Sequence, residues 1–352
     1  SPFKKTDKAY SFLRSLGVTR LRVNVLWAYA LPKAEYNART KPATRSYNFS
    51  QYQTMIDEAA AHGIRVHASL TGPAPRWATG DRRKVSGFKP DAGAYAEFAT
   101  AAATAFQGRV DRYSIWNEPN WKTWLGPIAS QANLYRALYT KGYAAVKQAD
   151  PRAKVLIAET SPSGRAGFSQ SPLAFLRGLT CVNAKYKKTR SCPALKADGY
   201  AHHPYDFAHA PTFQGKNQDD VTIGTLSRLT RALDKLSRAG RLRQNGGGRM
   251  PLYLTEYGYF SSGHRAVKKS LRVKWLQQAY SIALANGRVK SQLQYLLIAP
   301  PRQSSSAFFN LALMTTQGKK YPTYNALSSW YRGHRGKVKR PGGSITLPPV
   351  AP

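Results

Sequence analysis

The chain has 352 residues, 42% of them hydrophobic, which is enough for one large α/β barrel core or two smaller cores. It carries 54 Lys and Arg against 17 Asp and Glu, a formal charge of +37. That balance predicts attraction to polyanions, and the absence of any apolar run of membrane-spanning length excludes a transmembrane helix.

In chain order the recurring unit is an amphipathic helix, a Gly or Pro stop and a short β-branched run, the sequence mark of β/α architecture with a parallel sheet. A helix from Asp7 to Leu16 stops at Gly17 and feeds TRLRVNVLW, ending at Trp27. Tyr52 to Ala61 stops at Gly63 and feeds IRVHASL. Ala94 to Phe106, capped by Asp91, stops at Gly108 and feeds VDRYSIWNE. Gln131 to Ala149 leads past Pro151 to AKVLIAE, and a longer connection then leads to DGYAHHPY. Thr225 to Ala239 leads through NGGGR to PLYLTE, Val267 to Ala285 leads to SQLQYLLIA, and a last helix lies around Tyr324 to Tyr331.

These runs give seven strands with none before the first helix, one short of a closed (β/α)8 TIM barrel. The first strand is not identifiable; the tail segment SITLPPV is one candidate, limited to an edge by its proline pair. Residues 1–331 read as one barrel domain. Residues 332–352 read as a basic, Pro/Gly-rich arm, with five Lys and Arg between Arg332 and Arg340.

Cys181 and Cys192 are the only cysteines and bracket the polar stretch VNAKYKKTRS, so they are expected to form a disulfide clipping one loop. With that bridge, the chain is expected to be a secreted, mature form whose leader has been removed. Two cysteines without a neighbouring histidine do not make a zinc site.

In a barrel of this kind functional groups sit at the C-terminal ends of the strands. Acids are scarce here, so those that end strands stand out: Glu118, Glu159 and Glu256, with Asp206 just beyond DGYAHHPY. Pro119 disfavours the helical conformation at Glu118, which is expected to be held extended at its strand end. In PLYLTEYGY an apolar strand carries Glu256 to its end, and a buried Glu is costly unless paired or used.

Taken together, LRVNVLW, the Pro75-x-Trp77 pattern, RYSIWNEPN, DGYAHHPY, YLTEYG and LQYLLIAPP resemble the glycoside hydrolases of clan A, most of all family 39 and related cellulase-like enzymes, over roughly Asp7 to Tyr331. The resemblance implies a retaining glycosidase acting on a poly- or oligosaccharide, with Glu118 as acid/base on barrel strand four and Glu256 as nucleophile on strand seven. It makes Arg22 the strand-two arginine that steadies the nucleophile. His203 and Tyr205 become the strand-six His-x-Tyr, the tyrosine bonding the nucleophile, with His202 as the alternative histidine. Asn117 offers an amide suited to a sugar 2-hydroxyl, and Trp27, Trp77, Trp121 and Trp124 fall on loops of the same face as candidate sugar platforms. On strand eight, where many members place a tryptophan, this chain has none; Tyr295, Phe308 or Phe309 are the candidates to stand in.

No cofactor or metal is expected: His202 and His203 are adjacent, and on a strand they point apart. A carbohydrate-binding relic on the same fold would have lost a carboxylate, and both are present. A basic nucleic-acid-binding protein is the other alternative, but the cations are spread along the chain without a recognised nucleic-acid motif. The charge leaves an anionic substrate open.

Overall fold

The computed structural model describes residues 6–338 other than 302, 305 and 306. Nine strands are formed among these residues: β1 Arg20–Leu26, β2 Arg65–Thr71, β3 Val110–Ile115, β4 Lys154–Thr160, β5 Leu195–Ala197, β6 Gly199–His202, β7 Leu242–Gln244, β8 Leu252–Tyr257 and β9 Val289–Gln294. Seven make one sheet in the order β1-β2-β3-β4-β6-β8-β9, every neighbouring pair parallel. The sheet curls until β1 approaches β9, giving the (β/α)8 architecture with seven barrel strands among the described residues. The tail candidate SITLPPV lies outside them.

The helices are α1 Thr6–Ser15, α2 Lys33–Asn37, α3 Ser50–Ala61, α4 Ala92–Ala105, α5 Gln131–Ala149, α6 Pro172–Thr180, α7 Leu226–Arg238, α8 Lys269–Ala285 and α9 Pro322–His334. The Asp91 side chain accepts from Ala94 N–H at 2.7 Å and so caps α4 as its position suggests. Four buried alanines on α4, together with Gly142 on α5, let these two helices pack closely; a β-carbon at Gly142 would lie 2.8 Å from the Tyr95 ring. Two features lack a clear periodic signal. The helix α6 is hidden in the long connection before β6, and β5 pairs with β7 as a separate two-stranded parallel sheet whose runs are only three residues long. The Cys181–Cys192 disulfide is formed, with the Cα atoms 6.5 Å apart, and closes the loop after α6. The last helix runs to His334, past the expected end of the barrel domain; positions 339–352 of the basic arm lie outside the described residues.

Two of the four candidate sugar platforms belong to the core. Trp27 is fully buried, stacked on Phe98 at 5.9 Å and edge-on to Tyr95 and Trp77. Trp77 is buried beside it, its indole N–H donating to the Glu35 carbonyl at 3.1 Å. The chain turns after β1 and β2 into short helical segments that fold both rings under the loops, where their large apolar area is best spent. No helix among the described residues is long and apolar enough to cross a membrane.

Candidate active site

The mouth of the barrel gathers side chains from six strands or the turns that end them. On β1, Arg22 projects inward and its guanidinium links two carboxylates. Its Nε and Nη2 donate to Glu159 at 2.8 and 2.6 Å, and its Nη1 donates to Glu256 Oε1 at 2.8 Å. Nη2 also donates to Asn117 Oδ1 at 2.6 Å. Ser69 on β2 donates to Glu159 Oε2 at 2.7 Å, so every oxygen of that buried carboxylate is engaged.

Glu118 lies two residues beyond Trp116, where the backbone leaves β3 through left-handed conformations, φ +67° at Trp116 and +38° at Glu118. It is therefore not extended as Pro119 suggests. Pro119 excludes the right-handed helical region, and tertiary hydrogen bonds choose what remains: Glu118 N–H donates to the Glu159 carbonyl at 3.1 Å, and the Glu118 carbonyl accepts from Trp121 N–H at 2.9 Å. Gly72 makes room for the turn, since a β-carbon there would lie 2.7 Å from the Trp116 ring. Across β4, a register shift between Ala158 and Thr160, with positive φ at Ala158 and Glu159, re-aims Glu159 into the barrel.

At the end of β6 the two histidines diverge. His202 turns to Thr160 Oγ1 and the Val221 carbonyl, both at 2.9 Å, and is structural. His203 Nδ1 lies 2.9 Å from Glu118 Oε1 and 3.7 Å from Glu256 Oε2. The Tyr205 hydroxyl donates to Glu256 Oε2 at 2.9 Å. Glu118 and Glu256 remain 9% and 8% exposed, whereas Glu159 is wholly sealed, so only the first two can be reached from the mouth.

Burial pushes the Glu118 carboxyl above its ordinary value, reinforced by the Glu256 charge and opposed by His203 and Arg22. Burial works against the His203 charge, but Glu256 and Glu118 outweigh it and raise that imidazole. One proton is therefore held on the short contact between Glu118 and His203. Burial likewise disfavours charge on Glu159, yet Arg22 overcomes it and brings Glu159 down to about 2. Burial and the neighbouring Glu256 keep the Tyr205 phenol protonated, a donor only.

Of the remaining candidates, Trp121 is exposed on the loop after β3 and Trp124 is half-buried. Tyr295, just after β9, is half-buried against Phe309 at 5.5 Å, and burial, with the Glu256 and Glu118 charges adding to it, raises its phenol. Phe309 also packs edge-on against Tyr205 at 5.8 Å, while Phe308 is 80% exposed. Among the described residues no group of three or more His, Cys, Asp or Glu could hold a metal ion. Two acids are left without a role by strand-end reasoning: Asp206 accepts from the Ala208 and His209 N–H groups of its own loop, and Glu159 anchors Arg22, its partner Ser69 carrying no local signal at all.

The fold and the site together define a (β/α)8 barrel with two accessible carboxylates converging from different strand ends. Among solved structures it is similar to a family 39 glycoside hydrolase from the gut symbiont Bacteroides cellulosilyticus WH2, with 18% identity, a TM-score of 0.66, and 94% of this chain and 61% of that one covered. It is also similar to a monomeric beta-xylosidase from Caulobacter crescentus CB15, with 15% identity, TM-score 0.57, and 92% and 63% covered. A third is GH5_18 from Bifidobacterium longum subsp. longum ATCC 55813, with 14% identity, TM-score 0.59, and 94% and 75% covered. The chain spans about three fifths of the length of the first of these, and at such identities the likeness is one of fold. No family model and no curated protein matches the sequence.

Proposed function

We propose that this chain is a retaining glycoside hydrolase in which Glu118 is the acid/base and Glu256 the nucleophile. The observation that carries the reading is the unequal treatment of two accessible carboxylates. Glu118 is biased toward protonation and shares its proton with His203, whereas both oxygens of Glu256 accept, from Arg22 and from Tyr205. In the first step Glu256 attacks the anomeric carbon while Glu118 gives its proton to the leaving oxygen. In the second, water, deprotonated by Glu118, breaks the glycosyl ester. Because His203 Nδ1 is 2.9 Å from Glu118 Oε1 and 3.7 Å from Glu256 Oε2, those oxygens are no further apart than the two distances laid end to end. That ceiling falls at the bottom of the ~6.5–9.5 Å range that leaves room for an attacking water, and so accommodates the ~5–5.5 Å spacing of retaining enzymes. The glycosidase neighbours, among them the beta-xylosidase, support a carbohydrate substrate.

Hydrolysis of a panel of neutral and acidic glycans tests the reading. On whichever substrate is cleaved, Glu118→Gln should slow turnover by about 10²–10⁴-fold, Glu256→Gln should abolish it, and the first-formed sugar should keep its anomeric configuration by NMR. A fully active Glu256→Gln protein would end the assignment. Export of the chain is proposed on the disulfide alone.

A further inference from the structure

Six of the seven large hydrophobic side chains most exposed among the described residues lie on loops that follow strand C-terminal ends, Leu271 on α8 being the exception. Three of the six stand on loops tied to one another. Phe88, after β2, bridges Gly126, with Lys89 N–H donating to the Gly126 carbonyl at 2.8 Å. Trp121, after β3, bridges Ser169, with Lys122 N–H donating to the Phe168 carbonyl at 2.8 Å. These ties make one platform from loops after β2, β3 and β4, and Trp121 N–H anchors it directly on the Glu118 carbonyl at 2.9 Å.

Each loop adds a cation to the platform. Lys122 Nζ and the Arg165 guanidinium lie 4.2 and 4.5 Å from the centroid of the same Phe168 ring, and Lys89 Nζ lies 5.6 Å from that of Phe88. Lys122 and Arg165 are exposed, and neither makes an ion pair among the described residues. Residues 116–130 contain a single acid, Glu118, and 161–171 contain none. One ring therefore holds two cations in place, and neither charge is neutralised by an acid of its own loop, which leaves both free to attract an anion.

Resting on the glycosidase reading, we infer that this platform is a binding site for an acidic polysaccharide: sugar faces stack on Trp121 and Phe88, and carboxylate or sulfate groups dock on Lys122 and Arg165, leading the polymer to Glu118. A neutral glycan would use the aromatic faces but leave the two cations idle. A polyanion without flat sugar faces would use only the cations.

Binding can be measured without turnover on the full chain carrying Glu256→Gln. The probes are polygalacturonate with its methyl-esterified form, dextran sulfate with dextran, and oligo-dT. Retention by one of the acidic polymers over its neutral twin is expected, and which one tells carboxylate from sulfate. Lys122→Gln with Arg165→Gln should weaken that binding about tenfold or more, whereas Arg231→Gln with Lys274→Gln, exposed on α7 and α8 and removing the same charge, should change it little. Equal losses from the two pairs, equal binding of charged and neutral twins, tighter binding of oligo-dT, or no binding to any polymer would each overturn the proposal. Cleavage of a neutral glycan by a protein that ignores acidic ones would sink this inference and leave the glycosidase reading standing. Acidic-polymer binding without hydrolysis of any glycan would do the reverse.

Discussion

At the residue scale, the three strand-end glutamates divide by access and partners. Glu159 sits where a nucleophile could be imagined from sequence, yet it is sealed and its oxygens are spent on Arg22 and Ser69. Its carbonyl also accepts from the Glu118 backbone, so one residue braces both reachable carboxylates. Breaking a buried ion pair by removing one partner costs about 3–5 kcal/mol, and Glu159→Gln is expected to destabilise the fold by that order. Glu118→Gln replaces a carboxyl already inclined to be protonated with its neutral isostere and should leave stability nearly unchanged while removing activity. Urea unfolding of the two variants side by side checks the contrast; equal stabilities would show that Arg22 does not depend on Glu159.

Among the elements, the disulfide and the register shift in β4 matter most. Cys181 caps α6 in a left-handed conformation, and Arg241 donates to the Thr180 and Cys192 carbonyls, so the clipped loop also fastens α6 to the segment before β7. Closing a loop of this size contributes about 2–3 kcal/mol, chiefly by restricting the unfolded chain. Alkylation without reductant should label neither thiol. Replacing both cysteines with serine should lower the unfolding free energy by that amount with catalysis intact, because the loop lies in the connection leading to β6 and supplies none of the site's side chains. Two labelled thiols in the purified protein would remove the main ground for proposing export.

On the scale of the whole molecule, the barrel interior carries groups whose charge is set by burial, and that makes stability depend on pH in a defined direction. Burial pushes His67 and His202 down to about 3, from 6.5. Below 6.5 the unfolded chain takes up protons that the folded chain refuses, so the stability these histidines contribute is present above that value and lost as pH falls toward 3. Glu159, held at about 2 against an ordinary 4.5, adds a second loss as pH falls from 4.5 toward 2. His203, raised in the folded state, works in the opposite sense: its contribution is complete below 6.5 and fades as pH rises through its folded value. Between about pH 6.5 and 4 the two depressed histidines outweigh Glu118, whose raised carboxyl takes up its proton sooner in the folded chain, so the melting temperature should decline before most carboxylates titrate, and His202→Asn should make that decline shallower. A melting temperature flat over this interval would contradict the buried, neutral state of both rings.

The periodic runs by themselves determined the β/α order, the seven parallel strands, the cap at Asp91 and the three glutamates at strand ends, because helix stops, strand patterns and a scarcity of acids are local properties of the chain. Tertiary structure decided the rest. It buried Trp27 and Trp77, which share loop positions with exposed Trp121, because the neighbours that cover a ring come from distant segments. It turned Glu118 into a left-handed conformation through a hydrogen bond to β4, and it separated His202 from His203 by what each strand face meets. Glu159 gained its place only when a shifted register brought it against Arg22, a contact between residues 137 positions apart that no window of sequence contains.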